Sequence, residues 1–262
     1  MKRHLHILRL AFLLALLQAL SFMVVSSEAS EQTAKIKLTL TEQHITGIDE
    51  ILEGIQNAEG LTYQLGSKGT GVRELQRVLL SNGYSSIEKA DGTYGSKTSE
   101  AVSEFQAANN LPVTGKADLL TQFSLIIHSG AFTQKGNAYV AQVNNYAVII
   151  WPDKAFYVGA VDKSANLVEG TYYYLDGSYY AGTYRNNLRF GKGTAYFANG
   201  DVYIGQWKND AMHGYGTYYY GGLKAAEYYA GSMANNNMHG YGVFHSKGVE
   251  RAGQWSNNQH IK

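Results

Sequence analysis

The sequence predicts an α+β protein of two domains, in which a small three-helix bundle precedes an elongated antiparallel β-sheet of repeated hairpins. Apolar residues recur at helical spacing as far as residue 127. Glycines then recur about every 23 residues after residue 155. The composition changes near the same boundary, since 18 of the 21 tyrosines lie after residue 130.

The first 29 residues have the layout of a secretory signal peptide. Basic residues precede an apolar run from Leu10 to Val25, and a small-residue segment with Ser27 and Ala29 follows. The apolar run is shorter than the roughly 20 residues of a membrane-spanning helix, which makes an uncleaved anchor the weaker alternative. We therefore expect cleavage after Ala29, a secreted protein that is extracellular or cell-wall associated, and no transmembrane segment in the mature chain.

The composition excludes several classes of function. Without residues 1–29 the chain has 19 Lys and Arg against 20 Asp and Glu, a balance that does not predict nucleic-acid binding. The chain has no cysteine, which excludes a disulfide framework and a thiolate nucleophile. With 262 residues and 45% hydrophobic content, it is long enough to fold by packing alone.

A lead-in segment covers residues 30–64. Its isoleucines and leucines between Ile45 and Ile55 recur at helical spacing, with acidic residues between them. We predict one amphipathic helix here. Gly47 and Gly54 weaken this prediction, because an interior glycine costs a helix about 1 kcal/mol relative to alanine.

Residues 65–127 have the pattern of three short helices. Apolar residues from Val72 to Leu79 predict the first helix, which Asn82-Gly83 ends. A second helix is predicted to start near Ser96, and a third follows Thr114-Gly115, with Asp118 placed to cap it.

This segment resembles the three-helix type of peptidoglycan-binding domain. The resemblance lies in LGSKGTGVRELQRVLLSNGY and in DGTYGSKTSEAVSEFQAANNLPVTGKADLLT, which include the landmarks Leu75-Gln76, Asp91-Gly92 and Thr114-Gly115. It implies that the domain docks on peptidoglycan, and it implies no bond cleavage. Domains of this kind also serve as folded spacers, and that alternative stays open.

Five polar or amphipathic residues of this domain are the candidates for wall-polymer binding. They remain after the apolar core and the turn glycines are assigned to structure, and they could face a groove between helices: Tyr84, Asp91, Tyr94, Thr98 and Gln106. Sugar hydroxyls or peptide amides are the groups that such a groove would bind.

Residues 128–154 are predicted to be a linker, in which the apolar run Val148–Trp151 suits a degenerate hairpin. Residues 155–262 are predicted to form a repeat array. Reference glycines stand at Gly159, Gly182, Gly205, Gly231 and Gly253. Asp-Gly and Asn-Gly pairs between alternating apolar residues predict that each unit is one hairpin. Segments such as 209–212 are expected to link one unit to the next.

Aromatic residues stand two positions before or after these glycines, so in extended strands they share one face. The predicted repeat-face aromatics are Tyr157, Tyr180, Tyr184, Tyr203, Trp207, Tyr229 and Trp255. Since a ribbon of hairpins has little second layer, we expect most of these rings to pack on each other. Stacking of a sugar ring on exposed tyrosines is the alternative.

The five units resemble MORN repeats, which stands for membrane occupation and recognition nexus. The pattern is tyrosine, any residue, glycine, any residue, aromatic, any residue, asparagine, and later glycine, any residue, glycine, as in YIGQWKN and GYG. The resemblance implies an elongated antiparallel sheet of successive hairpins. The first and last units match loosely.

His213 and His239 occupy one place in the repeat, eight residues after their reference glycines. Phe190 and Leu167 fill that place in earlier units, which disfavours a catalytic base. Equivalent positions of neighbouring hairpins lie about 10 Å apart, too far for two ligands of one zinc ion. We therefore expect no metal site, no cofactor and no catalytic residue.

The sequence as a whole predicts a secreted, non-catalytic, cell-wall-associated binding protein. Peptidoglycan is the partner expected for the helical domain, and a protein, glycan or lipid for the repeat sheet. Two alternatives stay open: a structural scaffold that assembles through sheet edges, and a wall hydrolase with an unrecognised site.

Overall fold

The computed structural model describes residues 31–32, 34–37, 40–41, 45–129 and 132–261. The predicted signal peptide at residues 1–29 lies outside these residues. Helical residues between 31 and 41 precede four helices: α1 (Ile48–Asn57), α2 (Thr70–Ser81), α3 (Ser96–Ala108) and α4 (Leu119–Ser129). Helices α2, α3 and α4 begin within residues 65–127, for which the sequence predicts three helices, and α1 lies in the lead-in segment. The helical residues between 31 and 41 come in addition to these predicted helices.

The lead-in helix forms as α1, and its two glycines have specific surroundings. Gly47 precedes the helix with φ 72°, a left-handed conformation that glycine adopts without strain. A Cβ atom on Gly54 would lie 2.6 Å from the ring of Tyr173, so glycine is needed where the helix meets the sheet. This close packing contact explains why Gly54 occurs inside a helix, where helix propensity disfavours glycine.

The rest of the chain forms one antiparallel sheet. The strands run in chain order from one edge to the other: β1 (Thr133–Lys135), β2 (Ala138–Val143), β3 (Tyr146–Ile150), β4 (Phe156–Val161), β5 (Leu167–Tyr173), β6 (Tyr179–Arg185), β7 (Leu188–Tyr196), β8 (Val202–Lys208), β9 (Ala211–Tyr219), β10 (Tyr228–Ala234), β11 (Asn237–Ser246), β12 (Val249–Ser256) and β13 (Gln259–Ile261). The predicted sheet of hairpins is confirmed. Strands β4–β13 supply the ten strands of the five predicted units, and β1–β3 extend the sheet into residues 133–150.

The helices pack on one face of the first strands. One hydrophobic core joins residues from Ile36 to Tyr179 and includes Phe123 of α4, whose ring meets that of Phe156 on β4 edge to face at 5.9 Å. Strands β3 and β4 are buried along their whole length, because a second cluster that includes Ile149 and Tyr157 packs on their other face. The division into two domains stays a prediction, while the helices and the first strands share this core.

The segments predicted as links between units are themselves hairpin turns. Lys208 pairs with Ala211 across Asn209 and Asp210, and both turn residues have positive φ angles of 49° and 66°. Two consecutive positive φ angles fit the right-handed twist of a two-residue hairpin, and asparagine and aspartate tolerate them. The expectation that 209–212 is a connecting segment is therefore wrong.

Candidate functional site

A cleft of about 310 Å³ lies in the helical part, between the segment 87–93 and the start of α3. Its lining combines Asp91, Thr93 and Thr98 with the charged residues Glu88 and Lys97. Two of the predicted site residues, Asp91 and Thr98, therefore lie together in one cleft. Tyr84, Tyr94 and Gln106 do not line it.

Gln76 of α2 organises this cleft. Its side-chain amide donates to the Thr93 carbonyl at 3.0 Å, to Thr98 Oγ1 at 3.0 Å and to Asp91 Oδ1 at 3.2 Å. Its Oε1 accepts the Gly92 N–H at 2.8 Å. Gln76 is not among the site residues predicted from the sequence. Its place next to Leu75 in the apolar stripe of the helix was a usable signal, because a polar residue that is buried there must be hydrogen-bonded.

The charges of the cleft are held by local contacts. The Thr93 N–H and the Gln76 amide donate to the Asp91 carboxylate and lower its pKa, and the ion pair with Lys97 lowers the pKa of Glu88. Both carboxylates are therefore ionised at neutral pH and accept hydrogen bonds. A ligand rich in hydroxyl and amide groups suits this arrangement.

Tyr94 and Gln106 have internal partners. Tyr94 is buried and donates its hydroxyl to the Gly115 carbonyl at 2.9 Å, and its burial raises the pKa of the phenol. Gln106 is fully buried, and its Oε1 accepts the N–H groups of Thr114 and Gly115 at 2.9 and 3.0 Å. These two side chains hold the loop before α4, so they do not face a groove as the sequence analysis expected. A direct role in binding stays an untested prediction for them.

Tyr84 lies elsewhere and is only partly buried. Its ring packs edge to face against Phe105 at 5.9 Å, and burial raises the pKa of its hydroxyl. The five candidates therefore do not form one site.

The aromatic face of the sheet, defined by Tyr157, Tyr180, Tyr203, Tyr229 and their ring partners, is closed by its own side chains. These four tyrosines are fully buried, and each hydroxyl donates to the carbonyl three residues further on at 2.7–3.1 Å. Burial raises the pKa of both Tyr203 and Tyr229 to about 12.

The remaining repeat-face aromatics complete this layer. Trp207 lies 5.2 Å from both Tyr180 and Tyr203, and Trp255 lies 5.6 Å from Tyr229, all edge to face. Tyr184 meets Tyr157 and Tyr180 in the same way. The rings pack on each other, as expected, so sugar stacking has little free aromatic surface on this face.

The opposite face of the sheet is open beyond the helices, and we call it the open face. Val158, Thr171, Ala181, Thr194 and Ile204 form one cross-strand row there, and the helices cover the start of that row. A groove of about 580 Å³ lies where the helices end. Its lining includes Leu61 before α2 and, from the sheet, Glu169, Lys192, Ile204 and Tyr215.

The residues of this groove are not among the site residues predicted from the sequence. Glu169, Lys192, Tyr215 and Tyr241 each stand ten residues after a reference glycine, so they occupy one place of the repeat on the open face. The residue type varies at this place, whereas the glycines and tyrosines that pack the repeat recur from unit to unit. Such variation within a regular repeat was the signal in the sequence that could have indicated a binding surface.

The two histidines lie on adjacent hairpins, as their place in the repeat predicts. His213 lines a small hollow beside Trp207, and His239 is exposed. Within the described ranges, no group of three or more His, Cys, Asp or Glu residues is arranged to hold a metal ion. The helices in this part of the chain are also too short or too polar to cross a membrane.

Comparisons with known families confirm both resemblances. Residues 68–122 match the model of the putative peptidoglycan binding domain, and residues 180–202, 203–222 and 229–248 match that of the MORN repeat. A search of curated proteins found no match.

A crystal structure of a fused Zn-dependent amidase/peptidase/peptidoglycan-binding domain-containing protein from Clostridium acetobutylicum ATCC 824 is similar at 15% identity. The match covers 57% of this chain and 78% of that one, with a TM-score of 0.24, too low to carry an argument.

Proposed function

We propose that this chain, which carries a peptidoglycan-binding domain followed by MORN repeats, is a secreted, non-catalytic binding protein of the bacterial cell wall. The helical part docks on peptidoglycan, and the repeat sheet presents a second binding surface. The observation that carries the proposal is the match of residues 68–122 to a peptidoglycan-binding family, together with the polar cleft in that segment.

The chemistry of the cleft supports binding. Peptidoglycan offers sugar hydroxyls, acetamido groups and peptide amides, which the carboxylates, hydroxyls and ammonium of Asp91, Glu88, Thr93 and Lys97 can meet. Gln76 holds the backbone of this cleft in place, which limits the ordering cost of binding.

Cosedimentation with purified insoluble peptidoglycan tests the proposal. We expect the chain without residues 1–29 to pellet with the wall, and the double variant Thr93→Ala/Lys97→Met to pellet less, because two polar groups of the cleft are lost. Lys224→Met, which removes an exposed charge from the loop between β9 and β10, is the matched control and is expected to pellet like the parent chain. A parent chain that remains in the supernatant contradicts wall binding.

A further inference from the structure

We propose that the groove between the helices and the open face of the sheet binds an acidic sugar of the wall glycan, a muramic acid whose lactyl carboxylate is free of a stem peptide, stacked on Tyr215 with this carboxylate paired to Lys192. This inference rests on the proposed function, since it extends the surface that meets the wall from the helices onto the sheet. The supporting observations are the position of the groove, its free side chains and the ligands that its shape disfavours.

The groove continues the surface on which the helices lie. Leu61 forms its wall on the helical side, and the Leu61 N–H donates to Thr171 Oγ1 on β5 at 2.7 Å. Glu169 fixes the same boundary, because its carboxylate accepts the Gly71 N–H at 2.8 Å. A polymer bound to the helical part can therefore continue into the groove without crossing an unconnected gap.

Two side chains at the rim are free to meet a ligand. The Tyr215 side chain lies on the open face with 68% of its surface exposed, and its ring stacks on no other aromatic ring in the described part of the chain. Lys192 is exposed, and its ammonium has no ion pair with any described residue. A free aromatic ring binds the apolar side of a sugar, and a free ammonium binds an anion.

The floor of the groove is shallow and largely apolar, with a few polar groups. Cross-strand neighbours Ala181, Thr194 and Ile204 line it, together with the backbone of Gly193 and Gly205. Small side chains and exposed hydroxyls accept a flat molecule that has both C–H and hydroxyl groups. A pocket of this kind uses a few placed polar groups to fix the orientation of its ligand.

The charges give the ligand a direction. Glu169 and Lys192 lie on β5 and β7, two strands apart, which corresponds to about 10 Å. The Lys192 ammonium attracts an anion at the middle of the groove, between Glu169 on the helical side and Tyr215 on β9, whereas the Glu169 carboxylate repels an anion nearer the helices. A sugar with a carboxylate is therefore favoured over a neutral sugar, and its acidic group points from Tyr215 toward Lys192 and stops short of Glu169.

A peptide fits this groove less well. Strand addition needs a free sheet edge, and the edges of this sheet are β1 and β13, far from the groove in strand order. An amphipathic helix needs a continuous apolar trough, but threonines and glycines interrupt the floor here.

The test compares two disaccharides that differ in the carboxylate. The full chain without residues 1–29 is titrated by calorimetry with N-acetylglucosaminyl-N-acetylmuramic acid, whose lactyl group carries a free carboxylate, and with neutral N,N′-diacetylchitobiose. We expect the acidic disaccharide to bind roughly tenfold more tightly, the ratio expected for one charge-assisted hydrogen bond. Lys192→Met should remove this preference, and Tyr215→Ala should weaken the binding of both sugars.

Tyr241→Ala is the matched control, because Tyr241 occupies the same place in the next repeat, is 58% exposed and lies outside the groove. The inference is overturned if neither disaccharide binds, if both bind equally, if the control weakens binding as much as Tyr215→Ala, or if an unlinked stem peptide displaces the sugar. Cosedimentation separates this result from the proposed function. If the chain pellets with the wall but binds neither disaccharide, the sugar site in the groove is refuted and the proposed wall binding is not.

Discussion

At the residue scale, the repeat is held by contacts between each tyrosine and a pair of glycines. Gly182 pairs with Gly193, and Gly205 with Gly216, so that glycine faces glycine under each tyrosine ring. A Cβ atom on Gly193 would lie 2.2 Å from the Tyr180 hydroxyl and 2.4 Å from the nearest carbon of its ring. Glycine thus recurs at a fixed period in the sequence because no larger residue fits beneath the aromatic layer.

Gly193→Ala is expected to destabilise the fold by about 1–3 kcal/mol or more, because the added methyl group forces a buried ring to move. In the background Tyr180→Ala the same change should cost clearly less, since the three nearest atoms to the added Cβ belong to Tyr180. Urea unfolding of the four chains gives this coupling energy. Additive costs would contradict the explanation.

In these hairpin turns, the residue that follows each repeat asparagine connects its hairpin to a neighbouring one. Asn236 Oδ1 accepts the Met212 N–H at 2.8 Å, and Asp210 Oδ1 accepts the Arg189 N–H at 2.8 Å. Asn187 and Asn258 make the same bond to Leu167 and Met238. The carboxamide or carboxylate thus joins each hairpin to the one before it.

Asn236→Gly keeps the positive φ of 68° but loses this bond, whereas Asn236→Ala loses both features. We expect the glycine variant to lose about 1 kcal/mol of unfolding free energy, and the alanine variant a further ~1 kcal/mol. Asn236→Asp should remain close to the parent chain, because aspartate fills the same place at Asp210. Thermal unfolding ranks the variants, and an alanine variant as stable as the glycine variant would refute the role of the turn conformation.

These residues show what could be predicted from the sequence. The glycine and tyrosine period led to the correct sheet because it reports local, repeated packing. The same pattern did not distinguish a hairpin turn at Asn209-Asp210 from a connecting segment, since asparagine and aspartate occur in both. For Tyr94 and Gln106 the sequence predicts ligand contacts but not their hydrogen bonds to the loop before α4, because a sequence does not show whether a polar side chain satisfies the backbone of its own domain.

At the element scale, the sheet caps a helix of the peptidoglycan-binding domain. Helix α2 follows Gly69, which offers no side-chain cap, and the Glu169 carboxylate from β5 accepts the Gly71 N–H instead. An anion at a helix N-terminus stabilises the helix, because it interacts favourably with the positive end of the helix dipole. Residues 71 and 169 are 98 positions apart, so no local pattern in the sequence could predict this contact.

The Glu169 contact predicts a pH dependence of stability. Burial raises the pKa of Glu169 above its usual value of 4.5, even though the Gly71 and Thr70 N–H groups lower it. An acid whose pKa is raised in the folded state binds more protons there, so its contribution to stability is complete below about pH 4.5 and is lost as the pH rises through the folded pKa. We therefore expect the parent chain to gain stability relative to Glu169→Gln as the pH falls from 7 to 4.5.

Urea unfolding of both chains at several pH values measures this difference. Glu88→Gln is a suitable control, because the pKa of Glu88 is lowered and its contribution changes in the opposite direction. A difference between the parent chain and Glu169→Gln that is constant with pH would refute the raised pKa.

At the scale of the whole molecule, two hydrophobic layers lie on opposite faces of one sheet. The core shared with the helices covers one face of the first strands, and the layer of Tyr180, Tyr203, Tyr229 and their tryptophan partners covers the other face of the later ones. Because the aromatic layer closes its own face, the open face and the cleft in the helical part are left for binding. The sequence predicted both architectures but not this shared core, which depends on packing between distant segments.

The central claim is that the chain binds wall polymer without cutting it. The most direct measurement is saturation binding of the chain without residues 1–29 to insoluble peptidoglycan, with the soluble sugars and peptides in the supernatant followed over the same hours. We predict that the pelleted protein reaches a plateau and that no soluble fragments accumulate above the level of wall alone. Protein that stays in the supernatant, or a steady release of fragments, would contradict the account.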